Sequence, residues 1–231
     1  MLSLLFLFSA CKKDALKKPT KVDVAYQVED DVENPSGNGG RPGPPVSLAF
    51  FGGQLNIEKT RIIGVRKNAD NIDFTREKHF SLSLDDGDKG KKVRFDLPQG
   101  TYKVLKLRLK LWNKDGNGTL RCTGERIQEP VGGPAQATPF RLKIKKEKVV
   151  ECDLLSSGGK VELQKGTPRT IEVKVEIGKW FEKIGTESWN QASVTSGAQG
   201  NLIPIEKGGM NDNLHSKFLK RIDKAFKARV L

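Results

Sequence analysis

The chain has 231 residues, of which 36% are hydrophobic and 30% charged, and its formal net charge is +13. This length suits one or two domains, and the modest apolar fraction implies one packed domain with less well packed ends. The cationic excess favours anionic partners in general.

Residues 2–8 form an apolar run too short to cross a bilayer, and Ser9, Ala10 and Cys11 follow it. The run resembles the h-region of a secretory signal peptide over 1–10, and the order before the cysteine is similar to the bacterial lipobox. Phe8 stands three before Cys11 where an aliphatic residue is usual, with Leu7 beside it; no basic residue precedes the run, as if the signal were longer. The resemblance implies cleavage before Cys11, lipidation of that cysteine, and an outer-membrane lipoprotein facing the cell surface or the periplasm. Residues 11–45 are rich in charge, Gly and Pro, so we expect a flexible tether; its cluster Glu29, Asp30, Asp31 and Glu33 reads as solvated linker.

Apolar content rises from Val46. Strands are expected over 46–51, 55–65, 72–74 and 79–84, then a turn at 85–90. The clearest element follows. In 105–111 the residues Leu105, Leu107, Leu109 and Leu111 alternate with Lys106, Arg108 and Lys110, a period of two that buries leucines and exposes cations. Residues 113–118 carry the spacing of half an EF-hand loop, but Gly124 stands where the bidentate Glu belongs, so a hairpin turn is expected.

Residues 120–127, 140–144, 149–155, 161–163 and 171–177 read as further strands; in 140–145, Arg141, Lys143 and Lys145 face outward. Eight or nine short strand segments at about ten-residue spacing, with no helices between them, predict a mainly β chain. We expect an antiparallel β-sandwich over 46–184. Residues 185–209 read as irregular. A C-terminal helix over 214–230, with Leu214, Phe218, Ile222 and Phe226 on one stripe, is expected to pack on the sandwich; the alternative is a basic helix lying on a membrane.

Export permits a disulfide, and Cys122 with Cys152 is the expected pair; two separate buried thiols are the alternative. His79 and His215 lack ligand spacing, so no metal and no cofactor are expected.

Leu97, Pro98, Gly100 and Tyr102, with Asp153, Leu154, Leu155, Trp180 and Phe181, resemble the transthyretin-like or immunoglobulin-like sandwich of secreted bacteroidete lipoproteins. The likeness covers about 48–181. It implies an exported, membrane-anchored protein and supplies no catalytic residues.

No Gly-x-Ser-x-Gly, His-Glu-x-x-His or phosphate-cradling glycine loop is present, so no catalytic residues are expected. Nucleic acid is an unsuitable partner for an exported chain whose aromatics do not interleave with its basic strands. The expectation is a binding or adhesion module. If their strands are neighbours, Lys106, Arg108, Lys110, Arg141, Lys143 and Lys145 form a basic face for anionic glycans or lipopolysaccharide phosphates. The alternative is a fimbrial subunit or pilus accessory protein assembled by strand addition, with Arg41 a candidate processing site.

Overall fold

The computed structural model describes residues 18–29, 46–85, 91–112, 118–130, 132–155, 159–182, 184–198 and 200–231. Residues 1–10, Cys11, the acidic and Gly/Pro-rich residues 30–45, and the turns expected over 86–90 and 113–117 lie outside these.

The first strands are β1 (Pro19–Glu29), β2 (Val46–Arg66), β3 (Ile72–Arg76), β4 (Phe80–Ser83), β5 (Lys92–Pro98) and β6 (Gly100–Leu111). Next come β7 (Leu120–Gln128), β8 (Gln136–Ile144), β9 (Lys148–Asp153), β10 (Val161–Leu163) and β11 (Arg169–Glu176). Two short helices, α1 (Gly178–Phe181) and α2 (Thr186–Asn190), precede β12 (Thr195–Gly197) and β13 (Gly200–Ile205). Helix α3 (Asp212–Arg221), a 3-10 turn (Ile222–Ala225) and β14 (Phe226–Val230) complete the described residues.

The chain is a mainly β sandwich with a short helix near its C-terminus. One sheet runs β14-β11-β1-β5; the larger follows β10-β6-β2-β7-β8-β13-β12, with β3 and β4 on β2 and β9 on β6. Most ladders are antiparallel, as expected, while β1 with β11 and β8 with β13 run parallel. Leu105, Leu107, Leu109 and Leu111 of β6 are buried, as their alternation requires. The sheets share one core, in which Tyr26 of β1 and Thr60 of β2 exchange a buried hydrogen bond of 2.8 Å. Tyr26 also meets Phe80 edge to face, 5.1 Å between ring centroids.

The larger sheet turns a corner at Asn56. The first half of β2 pairs with β7 and the second half with β6. Asn56 donates its backbone N–H to Thr119 (2.9 Å) and accepts from Trp112 N–H (3.2 Å), so β6 ends and β7 begins against one residue. Its side-chain Nδ2 donates to the Gly118 carbonyl at 2.7 Å, and its Oδ1 accepts from Ser81 Oγ at 2.6 Å. Thr119, also buried, donates N–H to Ile144 and Oγ1–H to Lys146, each at 2.7 Å. The passage from β8 to β9 is thereby held at the same corner.

Three expectations are corrected. The tether expected over 11–45 contains β1, which sits centrally in its sheet with Val22, Val24, Tyr26 and Val28 buried. Its apolar alternation is diluted by the charges between and around it, so composition hides a strand that periodicity would reveal. The helix expected over 214–230 stops at Arg221, and Phe226–Val230 pairs antiparallel with β11. Phe226 lies at helical spacing from Ile222, but Phe226, Ala228 and Val230 also alternate, and the open edge of β11 satisfies their backbone. Leu214, Phe218 and Ile222 are buried, with Phe218 against Phe181 and Trp189, so α3 packs on the sandwich. The segment expected to be irregular, 185–209, contains β12 and β13, which join the larger sheet beside β8.

Val24→Asp tests the place of β1. A lone carboxylate in this core is expected to lower unfolding free energy by about 3 kcal/mol or more, read as a fall in the urea midpoint. A tether at this position would leave the midpoint unchanged.

Candidate functional site

The six basic residues expected to share a face are divided by the corner. β6 carries Lys106, Arg108 and Lys110, while β8 carries Arg141 and Lys143, and Lys145 follows it. β2 and β7 stand between β6 and β8, so the two cationic strands are not neighbours.

The β6 half is neutralised by carboxylates. Lys106 lies 2.6 Å from Glu151 and 3.7 Å from Asp153, and Arg108 pairs with the other oxygen of Glu151. Lys110 bridges Glu58 at 2.9 Å and Glu147 at 3.0 Å. The hydrogen bonds that Lys106 donates to Glu151, and Lys110 to Glu58 and Glu147, push these ammonium groups above the usual lysine value. Exposed pairs of this kind add little stability, yet they leave little net charge for a ligand.

The β8 half differs. Opposite it, β2 carries a bulge: the register with β7 slips between Phe50 and Gly52. Gly52 has φ +115°, a conformation that favours glycine. At Gly53 an added Cβ would lie 2.2 Å from the Arg121 carbonyl, so only glycine lets β2 and β7 approach this closely. Beside this approach lies a groove of about 310 Å³, lined by Gly53, Gln54, Arg121, Cys122, Thr123, Arg141, Leu142 and Lys143. The register sets Arg121 directly opposite Lys143, and Thr123 opposite Arg141.

Like charges directly across a ladder repel. Among the described residues, the side chains of Arg141, Lys143 and Lys145 have no ion pair and no hydrogen-bond partner. Desolvation first, then Arg121, Lys145 and Arg141, lowers the Lys143 ammonium below its usual value, with Glu206 opposing weakly. Among the described residues, no carboxylate lines the groove. An anion entering it would meet converging donors and relieve their repulsion. Arg121, Gln54 and Thr123 were not anticipated as site residues. Arg121 was recognisable as the outward residue between Leu120 and Cys122, but pairing it with Lys143 requires the β7–β8 register.

A second groove of about 640 Å³ lies between β9, β11 and β14. It is internally compensated: Lys227 pairs with Glu176 at 2.6 Å and Arg229 with Glu172 at 2.7 Å.

The expected disulfide does not form. Cys122 and Cys152 are both free and buried. Cys122 stands opposite Leu142 and Gly53, Cys152 opposite Leu107, on strand pairs either side of the corner. Cys152 Sγ lies 4.0 Å from the Phe226 carbonyl instead. Burial pushes the Cys122 thiol up; burial, then Asp153 and Glu151, push Cys152 to about 11. Such thiols are inert at neutral pH.

His215 is buried on α3, its Nδ1 3.9 Å from Asp212, and burial lowers its pKa below the usual histidine value. Among the described residues no group of three or more His, Cys, Asp or Glu side chains is placed to hold a metal, and no helix is long and apolar enough to cross a membrane. Comparison with known proteins finds no matching family model, curated protein or solved structure.

Peptide mapping after alkylation checks the thiols. In denaturant without reductant, both Cys122 and Cys152 are expected to be fully labelled; a disulfide would block both until reduction. In the native protein, Cys152 is expected to label only as pH rises toward about 11, the direction its raised pKa requires.

Proposed function

We propose that this chain is a non-catalytic β-sandwich binding module that holds an anionic glycan in the groove between β2, β7 and β8. In this reading it is an envelope lipoprotein of the bacteroidete type, tied to the outer membrane through lipidated Cys11. One observation carries the binding reading: Arg141 and Lys143, without an ion pair among the described residues, line a concave site that has no carboxylate among its described lining residues, while the β6 cations are already paired. Guanidinium forks suit carboxylate and sulfate groups geometrically as well as electrostatically.

The fimbrial reading gains one observation from the structure. β14 is an edge strand, and an edge strand is what assembly by strand addition needs. Yet Lys227 and Arg229 on that edge are charges of the kind that discourage pairing with another chain. The glycan reading is therefore preferred.

Isothermal titration with a sulfated uronate oligosaccharide tests the proposal. Arg141→Glu/Lys143→Glu is expected to weaken binding at least about tenfold at moderate salt, while Lys106→Gln/Arg108→Gln leaves it nearly unchanged. Unchanged far-ultraviolet dichroism in both variants guards against unfolding. Equal loss in the two variants, or no binding by the native chain, would overturn it.

A further inference from the structure

We propose that Phe51 is a sugar-stacking residue beside the same groove, so that an acidic polysaccharide is held by a ring face as well as by its charges. This rests on the glycan reading above. Phe51 is 59% exposed, an unusual position for a phenyl ring in a strand whose neighbours are well packed. Its exposure has a definite cause. Phe50 turns inward, its ring 6.2 Å from that of Phe181, and Phe51 is the extra residue of the bulge. Without the bulge, the residues after Phe50 would shift register and change faces. With it, Phe51 stands on the outer surface while Leu55 still enters the core.

The bulge also fixes where that ring stands relative to the cations. The register brackets Phe51 between Phe50, opposite Gly124, and Gly52, opposite Thr123. Thr123 in turn faces Arg141 across the next ladder, and both line the groove. Along β2, Gly53 is two residues on, about 7 Å at strand spacing. A pyranose carries an apolar C–H face and a polar rim. Phe51 offers the apolar surface, Gln54 and Thr123 offer hydrogen bonds to hydroxyls, and Arg141 and Lys143 meet a carboxylate or sulfate. One acid, Asp85, stands directly against the bulge: a Cβ on Gly52 would fall 1.7 Å from its Oδ1. Ser83 Oγ, at the end of β4, donates to the other oxygen of Asp85 at 2.9 Å. Bulges commonly re-aim a side chain beside a binding site, and this one requires Gly52 and Gly53 to do so.

The experiment compares two anions, the sulfated uronate oligosaccharide and inorganic polyphosphate, which has charge but no ring face. Phe51→Ala is expected to weaken oligosaccharide binding about tenfold and to leave polyphosphate binding unchanged, while Phe51→Trp retains both. Arg141→Glu/Lys143→Glu is expected to lose both. Native-like oligosaccharide binding by Phe51→Ala would overturn the stacking role and leave the groove reading intact. Equal weakening of both anions by Phe51→Ala would likewise overturn stacking, since it marks an effect on the groove's shape or charge. If the native chain binds neither anion, the groove reading fails together with the stacking role.

Discussion

Four hydrogen bonds at Asn56 hold the larger sheet together at its bend. The backbone of Asn56 joins the end of β6 to the start of β7, and its side chain ties both to β4 through Ser81 and to the Gly118 carbonyl. Asn56 is 1% exposed, so each of these groups depends on it rather than on water. Losing the side chain alone would strand a buried carbonyl and leave a serine hydroxyl without its acceptor, at about 1–3 kcal/mol for each group that stays buried. Thr119 repeats the arrangement one strand further out, toward Ile144 and Lys146. The corner separates β6 with β9 from β7 with β8, and through that separation it determines which cations meet acids and which do not.

The charge distribution follows from this division. On the β6 side, the register places Glu151 opposite Arg108 and Asp153 opposite Lys106, so an alternating basic strand meets an alternating acidic one. On the β7–β8 side, the register places Arg121 opposite Lys143, cation against cation. The two halves look alike as sequence, since both are apolar strands with Lys and Arg between the apolar residues. Their electrostatics differ because of what lies across the ladder. A surface that keeps Arg141 and Lys143 without an ion pair among the described residues, beside Gly53, accepts a repulsion that an anionic ligand would relieve.

Much of the fold was legible in the chain. The strict alternation over 105–111 specified a strand and its buried face, and the same pattern marked 140–144 and 171–177. β1 was missed because its four buried apolar residues, Val22, Val24, Tyr26 and Val28, lie within a segment judged by its average, charge-rich composition. Residues 222–230 were misread because Ile222 and Phe226 satisfy helical spacing while Phe226, Ala228 and Val230 satisfy strand spacing. The choice is made by the free edge of β11, which is not encoded locally. For the site, Arg141 and Lys143 were legible as outward cations. Their separation from Lys106, Arg108 and Lys110, and their meeting with Arg121, depend on ladder order, which alternation does not convey. The place of Phe51 depends on a bulge, and Gly52-Gly53 announces only that something irregular lies there.

The most direct test of the central claim is residue-resolved: amide chemical shifts of the labelled chain followed during titration with a sulfated uronate oligosaccharide. The account predicts that perturbations concentrate on residues 51–54, 121–123 and 141–143 and saturate with one binding isotherm, while 106–110 and 149–153 remain still. Perturbations centred on 106–110 and 149–153, or spread evenly over every exposed lysine, would contradict it.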